Sequence, residues 1–400
     1  MKGIIPNKNM TPCEKCGRTF AAGSKGINYD RVSGIYLCDE CLASQDENGC
    51  IQDKLPTPKE IKAHLDKFVI GQDKAKRTLA VAVHEHFKRI RYGGMEKSNI
   101  LLCGPTGCGK TLLARTLAEF LDVPFAIADA TTLTEAGYVG DDVENVLLRL
   151  YNASGEDIEK TQKGIVFIDE IDKLAKHGAG TSLTRDVGGE GVQQALLKII
   201  EGCTSRVPVT GGRKHPNAQC LEIDTTNILF ICGGAFPGIG KKVKGRTAPS
   251  SMGFFAAPDA KKDGENLLYK NATQEDFVSY GLIPEFVGRL PVLAFLDPIG
   301  KEEYKKILVE PENAIVKQYV NSYSYDDAEL EFTEGAIDAV AEKADKLGIG
   351  ARGLRSIVEA VLEDVSFELP SVPGRKKVVV TAENVKDGTM PEIVQGSIAV

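Results

Sequence analysis

Five short, continuously apolar runs punctuate the middle of the chain: Ile100–Cys103, Phe125–Ala128, Ile165–Ile168, Ile228–Cys232 and Val292–Phe295. Helical stretches or long loops separate them. Unbroken apolar runs suit strands covered on both faces, so the pattern predicts a parallel five-stranded sheet sandwiched between helices. Upstream, Thr57, Pro58 and Glu60 form a helix-start signature, with Thr57 as N-cap and Glu60 completing a capping box. A longer helix follows Gly71, with Ala75, Leu79, Ala82, Val83, Phe87 and Ile90 on one face. Helical pattern returns over 299–322 and 334–346. A further helix after Gly353 buries Leu354, Ile357, Val358, Val361, Leu362 and Val365, and Lys377–Thr381 reads as a small strand. The glycine-rich stretch 176–191 and the basic stretch 241–246 read as loops. No internal repeat is present.

The first 49 residues lack helical periodicity, and the polar stretch 42–56 reads as a linker. The pattern therefore predicts an α/β protein in several parts. A small N-terminal domain covers 1–49 and a connecting segment 50–60. A large domain carrying the parallel sheet covers 61–297, and a smaller, mostly helical domain 298–400. At 400 residues the chain is too long for one ordinary core. Its 49 basic and 56 acidic side chains leave a formal charge of −7. That balance argues against a chain built around a nucleic-acid backbone. No apolar run approaches a membrane span and the N-terminus has no apolar signal core, so a cytoplasmic protein without membrane contact is expected.

Three motifs carry chemistry. Gly104-Pro105-Thr106-Gly107-Cys108-Gly109-Lys110-Thr111 is a complete G-x-x-x-x-G-K-T between a strand and a helix that opens with Leu112 and Leu113. Glycines there let backbone N–H groups wrap phosphates. Lys110 reaches the β- and γ-phosphates, and Thr111 ligands Mg²⁺. Cys108 reads first as an inert, buried filler of serine size, since most single cysteines are unreactive. The alternative is a reactive thiolate, favoured by the helix N-terminus and by Lys110 two residues on, where an alkyl adduct would occupy phosphate space. The second motif is the run 165–168 ending in Asp169 and Glu170. The first carboxylate can hold Mg²⁺ and the second can polarise an attacking water. The third is Cys13-x-x-Cys16 with Cys38-x-x-Cys41, whose spacing fits a four-thiolate structural Zn²⁺ site. The remaining six cysteines are scattered singly, as in a reducing compartment.

With these features in the order zinc domain, large ATPase domain and small domain, the chain resembles the ClpX family of AAA+ protein unfoldases over nearly its whole length. The resemblance implies further roles. Val69 and Ile70, in Val69-Ile70-Gly71-Gln72, would contact the adenine. Tyr138 and Val139, between Gly137 and Gly140, would grip polypeptide in a central pore; taken alone they read as a turn with a buried aromatic. Arg185, in Thr184-Arg185-Asp186-Val187, would belong to a second pore loop. Arg213, Lys214 and His215 would surround the pore entrance. Arg289, in Glu285-Phe286-Val287-Gly288-Arg289, would be an arginine finger acting on a neighbouring subunit's ATP. Arg352, opening a helix against the dipole preference, would be the sensor-2 arginine.

The resemblance also implies a homohexamer that hydrolyses ATP and pulls protein substrates, some of them delivered by adaptors, through its pore into a ClpP-type peptidase. Two departures stand out. The peptidase-docking loop reads Met252-Gly253-Phe254 where the family has Ile-Gly-Phe, and Cys108 replaces a serine. Two rival readings are a nucleic-acid motor with a zinc ribbon and a remodeller that never meets a peptidase. Against the first, Lys241, Lys242, Lys244 and Arg246 make only one short basic patch.

Overall fold

The structure of the chain, a computed structural model, describes residues 10–12, 19–21, 27–29, 36–38, 55–134, 141–176, 189–208, 220–247 and 268–395. Two compact units emerge, Met1–Pro56 and Thr57–Val400. In the first, Met10–Pro12 pairs antiparallel with Thr19–Ala21, and Ile27–Tyr29 with Tyr36–Cys38.

In the second unit the five expected runs are strands: β1 (Ile100–Cys103), β2 (Phe125–Asp129), β3 (Ile165–Asp169), β4 (Leu229–Gly234) and β5 (Val292–Phe295). They form one sheet in the order β5-β1-β4-β3-β2, parallel throughout. The unbroken apolar sequence has the expected cause. Leu101, Cys103, Val166, Ile168, Phe230 and Cys232 enter the core on one face. Ile100, Leu102, Ile165, Phe167, Leu229 and Ile231 enter the core on the other. Alternation persists, but both sides are dry.

Helices α1 (Pro58–Phe68), α2 (Asp73–Tyr92) and α3 (Lys110–Phe120) cover the second face through residues such as Leu65, Leu79, Val83, Leu113 and Leu117. The capping box is made: Thr57 Oγ1 accepts from Glu60 N–H at 3.3 Å, and Glu60 Oε2 accepts from Thr57 N–H at 2.7 Å. Helix therefore begins inside the segment drawn as a connector at 50–60. Helix α4 (Glu190–Glu201) buries Val192, Leu196 and Ile200 in the first core.

A third core lies C-terminal. It joins α5 (Lys301–Val309), α6 (Glu334–Leu347) and α7 (Arg352–Glu368) with a three-stranded sheet. That sheet runs Ala328–Phe332, Lys376–Val380 and Glu392–Gln395 in that order. Ile299 packs against both this core and the second.

Two local expectations are corrected. The stretch 241–246 is not a loop: Ile239–Thr247 is a helix, because Ile239 and Val243, one turn apart, are both buried. Its Arg246 donates from Nε and Nη2 to the buried Asp276 carboxylate at 3.1 and 3.0 Å, so that basic residue is engaged within the fold. The helical run 299–322 is two helices, α5 and Ile315–Ser324, interrupted around Pro311, which has no N–H to continue a helix. Of the stretch 176–191, residues 177–188 lie outside the described residues, and Glu190 and Gly191 open α4. Among the described residues no helix is long and apolar enough to cross a membrane.

Candidate nucleotide site

Parallel strands deliver their chain ends to one edge, and the motif residues gather there. Gly104–Gly109 links β1 to α3, and Lys110 and Thr111 are the first residues of α3. Gly107 and Gly109 have φ of +80° and +97°, the left-handed turn that wraps a phosphate. Lys110 is nearly buried. Its Nζ donates to Gly104 O at 2.7 Å and Pro105 O at 3.0 Å, so the ammonium is held at the mouth of its own loop. Thr111 Oγ1 donates to Asp169 Oδ2 at 3.1 Å. Asp169 Oδ1 accepts from Glu170 N–H at 3.0 Å, and Glu170 itself sits at φ +57° with its side chain exposed. The two residues assigned to Mg²⁺ are thus already in contact, and their oxygens are the hard donors that ion requires.

These groups line a cavity of about 570 Å³, the size expected for a nucleotide. Thr106, Gly107, Gly109, Lys110, Thr111, Asp169 and Glu170 form its polar end, and Arg352 reaches it from the first position of α7. Phe68, Ile307 and Ile315 supply apolar walls suited to a base. The C-terminal region closes directly on the P-loop. A Cβ on Gly350 would lie 3.1 Å from Gly107 Cα and 3.2 Å from Thr106 O. Leu112 lines the cavity as well. Gly104, Pro105, Cys108, Val69 and Ile70 are not among its lining residues. Val69 is buried, with its carbonyl accepting from Lys76 Nζ, and it is the adjacent Phe68 that reaches the cavity.

Sequence reasoning missed Asp172, Ile307 and Ile315. Asp172 is buried in the cavity wall. Its Oδ1 accepts from Ala235 N–H at 3.0 Å and its Oδ2 has no hydrogen bond, the nearest cation being Lys173 at 4.0 Å. A second acid three residues after Asp169 was the available signal.

The Cys108 thiol is buried in the apolar core beneath the loop. Burial pushes its pKa up, outweighing Lys110 and the backbone N–H groups that pull it down. Burial and the raised pKa both favour an inert filler over a reactive thiolate.

Arg289 lies elsewhere. It caps the short helix Pro284–Gly288 immediately before β5, at the opposite, amino edge of the sheet. Its guanidinium is half-exposed and pairs with Glu201 at 2.8 Å. A strand of four residues spans about 13 Å, so Arg289 is remote from its own chain's phosphate loop. Of the zinc cysteines, Cys38 is described only as the last residue of its strand, opposite Ile27. Cys13, Cys16 and Cys41 lie outside the described residues, as do Tyr138, Val139, Arg185, Arg213, Lys214, His215, Met252, Gly253 and Phe254.

The P-loop after β1, the paired acids at the end of β3, with β4 lying between the two strands, and the arginine from a C-terminal helical region define an AAA-type ATPase. Residues 95–293 match the family described as AAA domain (Cdc48 subfamily), and residues 299–375 match the C-terminal, D2-small domain, of ClpB protein. Two curated relatives, the ATP-dependent Clp protease ATP-binding subunits ClpX of Borrelia duttonii (strain Ly) and Borrelia recurrentis (strain A1), are each 50% identical over 397 residues. Those alignments cover 96% of this chain and 92% of each relative. The ClpX of Treponema denticola is 52% identical over 369 residues, covering 87% of this chain and 88% of its own. The chain belongs to the ClpX family, and it is an ATPase.

Proposed function

We propose that the chain is the ATP-driven unfoldase of a two-part protease, threading protein substrates into a ClpP-type peptidase. One observation carries the coupling of ATP to movement: the cavity is walled by two separately packed regions. Lys110, Thr111, Asp169 and Glu170 come from the sheet domain, and Arg352, Ile307 and Ile315 from the C-terminal one. A nucleotide there touches both, so its γ-phosphate and its loss would bias their relative orientation. We draw the domains at 61–297 and 298–400, hinged near Ile299.

In the reaction, Lys110 exchanges its loop carbonyls for phosphate oxygens. Thr111 and Asp169 would hold Mg²⁺, which when bound supplies charge neutralisation on the β- and γ-oxygens. Glu170, exposed beside Asp169, accepts a proton from the attacking water. Arg352 contacts the phosphates from the C-terminal side, and Arg289 of one subunit serves the site of the next in a six-membered ring. Tyr138 and Val139, with Arg185, Arg213, Lys214 and His215, would grip the substrate chain. Met252-Gly253-Phe254 would dock on the peptidase, methionine being a tolerable aliphatic replacement. Cys13, Cys16, Cys38 and Cys41 would hold Zn²⁺ in a domain that receives substrates and adaptors. We place the assembly in the cytoplasm.

The test is a stably folded fluorescent protein with an unstructured tag, incubated with the full chain and ATP, with and without a ClpP-type peptidase. Loss of native fluorescence with ATP, and peptides only when the peptidase is present, is expected. ATP turnover with fluorescence intact overturns the unfoldase reading. Unfolding without peptides beside an active peptidase overturns the docking and leaves a remodeller.

A further inference from the structure

Asn99, the residue before β1, is 1% exposed and carries no part of the motif that follows it. Both its side-chain donors and its amide oxygen are engaged. Nδ2 donates to Arg289 O at 3.0 Å and to Ile200 O at 3.3 Å, while Oδ1 accepts from Phe230 N–H at 3.3 Å. Its main-chain carbonyl accepts from Val292 N–H at 3.4 Å. One residue thereby fixes both ends of the segment Arg289–Val292, ties it to the end of α4, and anchors it on β4.

Pro291 has no N–H, so the segment between Arg289 and Val292 is short of backbone donors. The packing around it is equally directed. Val287 and Leu290 are buried on either side, leaving Gly288 and Arg289 as the exposed step between them. A buried asparagine with two donors and one acceptor engaged is a rigid joint, because losing it strands two carbonyls and an N–H in a dry site.

We propose that Asn99 is a positioning residue for Arg289, holding the backbone of the finger so that its guanidinium is presented from the amino edge to the neighbouring subunit's γ-phosphate. The proposal rests on the reading of Arg289 as a group acting in trans. A displacement of about 1 Å at such a group costs on the order of a hundredfold in rate without changing substrate contacts. The effect belongs in kcat, because the carboxyl-edge cavity that binds ATP does not contain Asn99.

The experiment uses the full-length chain with Asn99→Asp, which keeps shape and acceptor but removes both donors. Asn99→Ser serves in the same comparisons should Asn99→Asp not assemble. Rings of the variant should lose about tenfold or more in kcat while KM for ATP stays within about twofold. The decisive arm mixes subunits. Glu170→Gln subunits cannot hydrolyse but carry an intact Arg289. In mixed rings they supply it to Asn99-variant neighbours, whose turnover per subunit should rise severalfold above that of their own rings. Arg289→Ala mixed with Glu170→Gln is the reference pair and should be rescued in the same way. If the reference pair is rescued and the Asn99 pair is not, Asn99 acts on its own chain and the proposal is overturned. If neither is rescued, the in-trans reading of Arg289 fails and takes the proposal with it. An unchanged kcat, or a loss confined to KM, also overturns it.

Discussion

The two edges of the five-stranded sheet are made from the same strands and do opposite things with polar groups. At the carboxyl edge, left-handed glycines and short side chains leave Lys110, Thr111, Asp169 and Glu170 facing a cavity. At the amino edge, polar groups are sealed in. Asn99 has both side-chain donors and its amide oxygen engaged, and His86 Nε2 donates to Asn227 O at 3.1 Å with its other ring nitrogen unpartnered. Burial there, with Arg89 and Lys97 nearby, depresses His86 to a pKa of about 3, and burial with Arg89 depresses Lys97 to about 7. Open polar groups are available for chemistry. Closed ones fix geometry, and on this account the geometry they fix is that of Arg289.

The largest effect should come from the open edge. Glu170→Gln keeps shape and removes the carboxylate, so steady-state hydrolysis should fall by about 10²–10⁴-fold with ATP binding retained. Turnover near that of the unmodified chain would remove Glu170 from the chemistry. Next is the contact between the C-terminal region and the P-loop. Gly350 has φ +69° and lies against Gly107. Gly350→Ala adds about 1–2 kcal/mol of backbone strain and pushes on the loop. ATP affinity, read by titration of a fluorescent nucleotide, should weaken about five- to thirtyfold. Unaltered affinity would show that the closed arrangement is not the one that binds ATP.

The sealed edge should respond to pH rather than to nucleotide. His86 is depressed in the folded chain, so its contribution to stability is present above the unfolded value near 6.5. It is lost as pH falls from there toward about 3, at no more than about 1.4 kcal/mol per unit. His86→Gln can still donate to Asn227 O but does not titrate. The drop in melting temperature between pH 7 and pH 5 should therefore shrink in that variant, and an identical drop would mean that His86 is not buried neutral. The smallest effect concerns Cys108. Mass spectrometry after brief alkylation should find Cys220, which is exposed, modified well before Cys108. Early labelling of Cys108, prevented by Cys108→Ser, would restore a reactive P-loop thiol.

The same contrast governs what the sequence revealed. The carboxyl edge was legible because phosphate binding needs glycines, a lysine and a threonine at fixed spacing, and because the strands that present them are buried on both faces. The strand Ala328–Phe332 was not legible. Its alternation of buried Ala328 and Leu330 with exposed Glu329 and Glu331 spans only five residues, too short a period to stand out beside the helical pattern on either side. Ile239–Thr247 was hidden because three lysines and two glycines mask one buried pair. Asn99 left no trace, since a single asparagine before an apolar run gains meaning only when Arg289, Ile200 and Phe230 are brought to it from distant segments. Cys108 shows the same limit: neighbouring charge is readable along a chain, whereas the burial that opposes it is visible only in the fold.

The central claim is that one chain contains a complete binding edge but only half of a hydrolytic site, the other half being the next subunit's Arg289. Dilution tests it directly, with ATP binding and ATP turnover per chain followed across the range in which sedimentation shows the assembly coming apart. Binding should persist in single chains while turnover per chain collapses with dissociation. Turnover that stays constant as the rings separate would contradict the claim.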